Sequence, residues 1–501
     1  MKVSRLFRFK DPDIKALHLT WIAFFITFYV WFNMAPLATT MVNELGWLTI
    51  KDVKLFAICN VALTIPARII VGMLLDKYGP RRVFSLVMVS MAIPALVFAF
   101  GNSFFQLLVS RLVLSSVGAG FVVGIHMTAL WFKPKDIGFA EGFYAGWGNF
   151  GSAGAAMTLP TIAFHMFGGP SGWRYALATS AITMFIYGIY YWFAITDGPK
   201  GTKLHKPRNV MALEVSTWWD MTKLIIFTIP MIGTLSLLVW RLQVMGFLST
   251  AMAFVCHLVI GGLILYQIAQ IFIVNVPILK KGVPEDDVYN FNQVASLNIN
   301  YLCVFGGELA VVSMLPAFFE NIFLLAPTMA GLIASSFAFV NLFARPLGGV
   351  LSDTLKSRKT VMVVYMLFTA IGFLGMAMID ESWPLVLAVI LTIVCSVFVQ
   401  GGQGSTYAII PVIKRRITGQ IAGMTGAYGN VGAVLYLTML TMFDDSEFFL
   451  FLAGITFLGT IFCFAFLKEP KGSFDEEYQM SSVDREIERE REAMATAKAK
   501  S

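Results

Sequence analysis

Charge is scarce in this sequence. Only 13% of its 501 residues are Asp, Glu, Lys or Arg, against about 25% in soluble domains, which excludes an ordinary soluble globular protein. Cysteine is also scarce. Cys59, Cys256, Cys303, Cys395 and Cys463 all fall in apolar stretches, none at metal-ligand or disulfide-framework spacing, so they read as buried thiols and the chain predicts neither a metal site nor a stapled secreted scaffold. There is no nucleophile–base cluster and no glycine-rich phosphate loop, so the sequence points away from an enzyme and calls for no cofactor. A net charge of +7 could suggest nucleic acid, but the basic residues sit in short loops between apolar runs, the pattern of cytoplasmic loops rather than of a nucleic-acid surface.

What is abundant is apolar sequence: 57% of the residues, gathered into runs of the roughly 20 residues that a helix needs to cross ~30 Å of hydrocarbon. Six runs lie at about 17–38, 53–75, 82–100, 105–131, 139–167 and 174–196. Six more lie at about 294–317, 326–351, 360–379, 384–411, 418–442 and 447–467. Two others, about 223–241 and 247–275, stand between them. The predicted fold is an all-α polytopic membrane protein of about 14 spans; a twelve-span version with a half-buried central hairpin is the alternative. The predicted organisation is a six-helix half (1–200), a central linker with two additional spans (201–293), a second six-helix half (294–467) and a charged tail (468–501). The basic N-terminal residues Lys2, Arg5, Arg8, Lys10 and Lys15 precede a run too long for a cleaved signal core. Loops after even-numbered spans carry the lysines and arginines, including Lys133, Lys135, Lys200, Lys203, Lys206 and Arg208, whereas the opposite loops carry mainly acids such as Asp380 and Asp444. That bias predicts a multi-pass protein of the plasma (inner) membrane with both termini cytoplasmic.

The two halves repeat. Arg68, Gly72, Asp76 and Arg81 recur at identical spacing as Arg345, Gly349, Asp353 and Arg358. Gly138, Gly142, Gly148, Asn149 and Gly151 recur as Gly419, Gly423, Gly429, Asn430 and Gly432. Two motifs in register make the chain an internal duplication, and such repeats place the substrate near the bilayer midplane between the halves. The Gly-Asp-Arg block resembles the loop signature of the major facilitator superfamily, and its position at a span's end suits a latch for the conformational cycle.

Arg68 and Arg345 lie eight residues before their aspartates, about 12 Å deeper along a helix. Intramembrane arginines usually face a bundle interior or a water-filled path. A single anion between the halves would satisfy both, and a planar, permanently charged fork suits a small planar oxyanion. The glycines also let helices approach closely. Asn149 and Asn430 could donate to an oxyanion or bond a neighbouring helix.

Ala145-Gly146-Trp147-Gly148-Asn149-Phe150-Gly151 and Gly426-Ala427-Tyr428-Gly429-Asn430-Val431-Gly432 are similar to the paired nitrate signatures of the nitrate/nitrite porter family, most nearly its cyanobacterial and algal high-affinity members. The resemblance covers nearly the whole chain outside the insert and tail. It implies import of nitrate, and of nitrite, by alternating access, with Arg68 and Arg345 as the substrate pair, Phe121 beside the anion and Tyr301 with Phe305 as the seventh-span aromatics. The central pair of spans departs from the family's twelve-span pattern. An inside-negative potential opposes anion entry by about 2.3 kcal/mol per 100 mV, so accumulation calls for two or more protons (or Na⁺) per anion, or for exchange. Arginine carries no proton, which leaves Glu308, His126 and Glu141 as coupling candidates. A carrier for another small anion (formate or oxalate) and an anion sensor signalling through the tail, where a regulatory protein could dock, are the alternatives.

Overall fold

In the computed structural model the described residues are 3–132, 134–199, 211–470, 472–474, 480–487 and 489, without the side chains of 3, 4, 73, 76, 77, 134–137, 327 and 328. The Asp76 carboxylate, the loop lysines Lys77, Lys133, Lys135, Lys200, Lys203 and Lys206 with Arg208, and most of the tail lie outside this set.

The described elements are helical. In chain order they are α1 (Pro12–Leu45), α2 (Ile50–Gly72, running on to Tyr78), α3 (Pro80–Ala99), α4 (Phe104–Trp131), α5 (Pro134–Thr161), α6 (Gly172–Ala194), α7 (Trp218–Val244) and α8 (Thr250–Lys281). They continue as α9 (Phe291–Phe323), α10 (Met329–Thr354), α11 (Arg358–Met376), α12 (Leu385–Ile413), α13 (Thr418–Leu440) and α14 (Asp445–Phe466). Among the described residues, twelve helices are long and apolar enough to cross a membrane. The glycine-rich α5 and α13, 28 and 23 residues long, bring the helices of membrane-spanning length to fourteen. Local chemistry starts several of them: Thr49 with Asp52 and Asp444 with Glu447 form capping boxes, which satisfy backbone N–H groups that a helix start leaves unpaired.

Within one side of the bundle α1 packs on α5 and α3 on α6; within the other, α9 packs on α13 and α11 on α12. Across the bundle α5 meets α10 and α13 meets α2. Glycines make these contacts close. A Cβ at Gly146 would lie 2.4 Å from the Asn341 carbonyl oxygen, and one at Gly432 would lie 2.3 Å from that of Leu302, distances no side chain tolerates. The α7–α8 hairpin sits outside, with only 11% of the α8 window buried, as an apolar helix facing lipid would be. It is nonetheless fastened: Tyr428 of α13 donates its hydroxyl to the Phe227 carbonyl of α7 (2.6 Å), and Asn275 of α8 bonds Val215 N–H and the Leu213 carbonyl (2.8 and 3.1 Å).

At the end of the bundle that carries the basic loops, the buried Arg416 pairs with Glu214, Asp287 and Asp484 at 2.8–2.9 Å, gathering the linker, the turn before α9 and the tail on one guanidinium. Burial alone would lower the Arg416 pKa, but the carboxylates more than reverse this and raise it above its ordinary value.

Candidate functional site

Both motif arginines follow a kink in their helix. α2 is interrupted at Leu63 and α10 at Val340, five residues before Arg68 and Arg345 respectively, so the kinks share the register of the sequence repeat. Pro66 explains the first, because it has no N–H to offer the Ala62 carbonyl. Ser115 holds the kink, accepting from the Leu63 N–H at 3.1 Å through its hydroxyl and from the Thr64 hydroxyl through its carbonyl. Both interruptions are one-residue kinks that keep helical φ and ψ, with Ala67 N–H bonding the Leu63 carbonyl and Ala344 N–H that of Val340 beyond them.

Arg68 is fully buried, and its partners are carbonyls alone: Nε donates to Gly118 of α4 (3.3 Å) and Nη1 to Gly426 of α13, while Nη2 has no partner. Its guanidinium carbon stands 5.2 Å from the ring centres of both Phe121 and Phe305. Arg345 is as deeply buried but differently held. Its Nη2 forms a 2.7 Å ion pair with Glu308 and also meets Gln403, and its Nε donates to Gln400 (3.2 Å). Its guanidinium carbon is 5.9 Å from the same Phe305 ring. Tyr301 stacks on Phe305 at 4.7 Å, and Phe121 lies 6.3 Å from each of them. Phe121, Tyr301, Phe305 and the two arginines are thus one cluster drawn from α2, α4, α9 and α10.

Glu308 belongs to this cluster as well. Its carboxylate accepts from Arg345, Gln403 (2.8 Å) and Asn341 (2.8 Å). Among the described side chains in contact here the formal charges are two arginines against one carboxylate, which leaves +1. Asn149 is buried with neither its Oδ1 nor its Nδ2 bonded. Asn430 spends its Nδ2 on the Gly426 carbonyl of its own helix (3.2 Å), the same carbonyl that accepts from Arg68. His126 is half-buried beside Gly419. Glu141 is fully buried on α5, with both oxygens unbonded. Neither joins the arginine cluster through a hydrogen bond.

The motif residues nearer the basic-loop end go to other partners. Arg81 donates its backbone N–H to Asp197 (2.7 Å). Arg358 pairs with Asp353 at 3.0 Å and with the Ser473 carbonyl at 2.8 Å. The Asp353 carboxylate also reaches α5, 2.8 Å from a Cβ built at Gly138, and one at Gly349 would lie 2.7 Å from the Gly138 carbonyl oxygen. Gly72, the counterpart of Gly349, faces open space.

Gln400, Gln403, Asn341 and Tyr407, whose ring lies 4.9 Å from Phe121 and 5.3 Å from Tyr301, were not singled out in the sequence. Two glutamines at i, i+3 inside the apolar run of α12 were the available signal, because such residues are costly in lipid and mark an interior face. Two cavities are each lined by an arginine. One of about 210 Å³, at the acidic-loop end, is walled by Lys54, Arg111, Glu320 and Asp445 among others; Arg111 there bonds Asn33 and the Trp31 carbonyl. The other, about 70 Å³, reaches Arg68 from the basic-loop side.

Among known proteins, the profile described as Major Facilitator Superfamily matches residues 20–282 and 297–493. The chain is 46% identical to the nitrate/nitrite transporter NrtP of Picosynechococcus, over 92% of this chain and 94% of that one, and 43% identical to NrtP of Nostoc punctiforme over 95% and 96%. It is 28% identical to high affinity nitrate transporter 2.5 of Arabidopsis thaliana, over 91% and 79%. In three dimensions it resembles the partially occluded inward-open xylose transporter XylE of E. coli, with a TM-score of 0.61 over 92% of this chain and 99% of that one at 13% identity, a likeness of fold alone.

Proposed function

Since the chain belongs to the major facilitator superfamily, and within it to the nitrate/nitrite transporters, we propose that it imports nitrate, and nitrite at the same site, by alternating access across the plasma membrane with both termini in the cytoplasm. The observation that carries this reading is the pair of buried arginines at one register of two kinked helices, facing a common Phe305 ring. A guanidinium bonded only to carbonyls, as Arg68 is, is half of an ion pair, and leaving such a charge buried costs several kcal/mol. A planar monovalent oxyanion supplies the missing charge. It accepts parallel bonds from the free Arg68 Nη2 and the free Arg345 Nη1, with the Phe121, Tyr301 and Phe305 rings packed around it and Asn149 and Asn430 as further donors.

Glu308 supports a proton-coupled cycle. Its carboxylate occupies Arg345 as a tethered anion, so nitrate and Glu308 compete for one guanidinium. Protonation of Glu308 weakens its hold and frees Arg345 for nitrate; release of both on the inner side restores the ion pair. One proton per nitrate makes the cycle electroneutral and driven by the pH gradient. A second, for which Glu141 and His126 are candidates, would let the membrane potential contribute. The Gly72–Asp76–Arg81 and Gly349–Asp353–Arg358 blocks act as cytoplasmic latches. The docking of Asp484 on Arg416 supports a role for the tail at that face, where a regulatory protein would meet it.

The test is uptake by purified protein in liposomes, with and without an inward pH gradient and with nitrite loaded inside. Nitrate accumulation that follows the pH gradient supports the reading. Uptake only against internal nitrite replaces coupling with exchange, and failure to move either anion while formate or oxalate enters would sink the substrate assignment.

A further inference from the structure

The apolar run of α12 carries a polar stripe. Gln400, Gln403 and Tyr407 stand at i, i+3 and i+7, the spacing of one helix face. The first two are spent on the charged network, Gln400 on Arg345 and Gln403 on Arg345 and Glu308. Tyr407, one turn further on, is not. It is fully buried, and its ring stands edge-on to Phe121 (66°) and to Tyr301 (81°), so it meets one ring from each half of the duplication. Phe121, Tyr301 and Phe305 lie within 21° of parallel to one another, and Tyr407 crosses all three. Neither the Tyr407 hydroxyl nor that of Tyr301 beside it makes a well-formed hydrogen bond, and both stand in the field of Arg68 and Arg345. Buried phenols usually find a partner, because a buried donor left unbonded is costly. The free donors of this cluster thus include Arg68 Nη2, Arg345 Nη1 and a phenol.

We propose that the Tyr407 hydroxyl is a further donor to the bound anion, on the oxygen that the two arginines leave bare, and that it sets a preference for nitrate over nitrite. The proposal rests on the nitrate/nitrite reading above and adds to it a residue that tells the two anions apart. Both anions are flat and carry one negative charge; nitrate has three oxygens and nitrite two. One guanidinium N–H from each half serves two oxygens, which completes nitrite and leaves the third oxygen of nitrate without a donor. In a buried site that oxygen has lost its water, so a donor placed for it favours nitrate selectively. A phenol suits the task. It offers one O–H, adds no charge, and is held in place by rings on two sides. Tyr301 is the other free phenol, but it lies flat on Phe305 (7°), whereas Tyr407 reaches across the stack from the helix face that already serves Arg345.

Tyr407→Phe removes one oxygen and keeps the ring. The parent, Tyr407→Phe, Tyr301→Phe and Tyr436→Phe are titrated with nitrate and with nitrite in detergent, with thermal stabilisation as the readout. Tyr436 is the control, another buried phenol without a hydrogen-bond partner, whose ring packs on Phe451 of α14. Tyr407→Phe should weaken nitrate binding roughly tenfold and nitrite binding by less than about threefold, while Tyr436→Phe changes neither. A merely structural role for Tyr407 would weaken both anions alike. Ring-labelled tyrosine at position 407 of the otherwise unchanged protein gives a second measurement that no folding defect can spoil: its phenol C–O vibration should shift when nitrate is added. Unchanged nitrate affinity in Tyr407→Phe, equal losses for the two anions, a selective loss that follows Tyr301→Phe instead, or a vibration indifferent to nitrate would each overturn the proposal. A parent protein that binds neither anion would instead overturn the function on which it rests.

Discussion

Arg68 and Arg345 occupy the same register of a repeated motif, five residues past matching helix kinks, but their partners differ in kind. Arg345 is charge-compensated by Glu308 and further bonded by Gln400 and Gln403. Arg68 has two carbonyls and two aromatic faces. The companion glycines diverge in the same way: Gly349 is pressed against Gly138 and Gly72 faces a void. Duplication therefore supplied two similar arginines, and the packing around them divided the work. The α10 side is closely packed and charge-compensated, whereas on the α2 side the buried Arg68 has no carboxylate partner and Gly72 borders a void. On the proposed function, this difference gives Arg68 the larger share in attracting the anion and Arg345 the larger share in coupling.

Lysine substitution tests that division most strongly. Lysine keeps the charge but loses the planar fork, so Arg68→Lys should weaken nitrate binding tenfold or more, about 1.4 kcal/mol. Arg345→Lys should weaken it less and shift the pH dependence of uptake. Arg111→Lys, at the cavity of the acidic-loop end, should change affinity by less than about threefold. Titration of solubilised protein with nitrate measures all three, and equal losses at Arg68 and Arg345 would break the asymmetry.

Glu308→Gln sharpens it from the other side. Breaking a buried pair outright costs roughly 3–5 kcal/mol; glutamine keeps the acceptor but not the charge. The variant should lose pH-driven accumulation, retain nitrate counterflow between equal pools and bind nitrate at least as tightly as the parent, because the competing carboxylate is gone. Proton-driven uptake that survives in this variant removes Glu308 from coupling.

The glycines offer a test by stability alone. Gly349→Ala forces a methyl group against the Gly138 carbonyl and should destabilise by roughly 1–3 kcal/mol. Gly72→Ala meets nothing and should be neutral or gain up to ~1 kcal/mol of helix propensity. Thermal unfolding in detergent compares the two, and equal shifts would contradict the packing difference. The smallest effect on binding is expected at Asp353. It pairs with Arg358 and lies beside Gly138 rather than in the arginine cluster. Asp353→Asn should slow transport severalfold with nitrate affinity changed less than about twofold, and a large loss of binding in folded protein would move Asp353 into the site.

Much of this was legible in the residues. Apolar runs of spanning length fix helices in lipid because every backbone polar group must be bonded within its own segment, so the helices could be read one by one. The repeated Arg-Gly-Asp-Arg spacing and the paired Gly-Asn segments marked the crossings and the intramembrane arginines, since charge in lipid is too costly to lie there without a use. The nature of each arginine's surroundings could not be read. Glu308, Asn341, Gln400 and Gln403 come from three helices whose relative rotation no local pattern encodes, and Glu308 stood in the sequence as an isolated acid, 37 residues before the arginine it pairs with. Likewise Gly72 and Gly349 are identical as motif letters. What separates them is whether another backbone arrives within 3 Å, and close packing across the bundle decides that. The sequence by itself determined the helices, the duplication and the two buried charges, because these follow from hydrophobicity and spacing along one chain. Only the tertiary structure decided which charge is compensated and which glycine borders a void, because both depend on groups meeting from helices far apart in sequence.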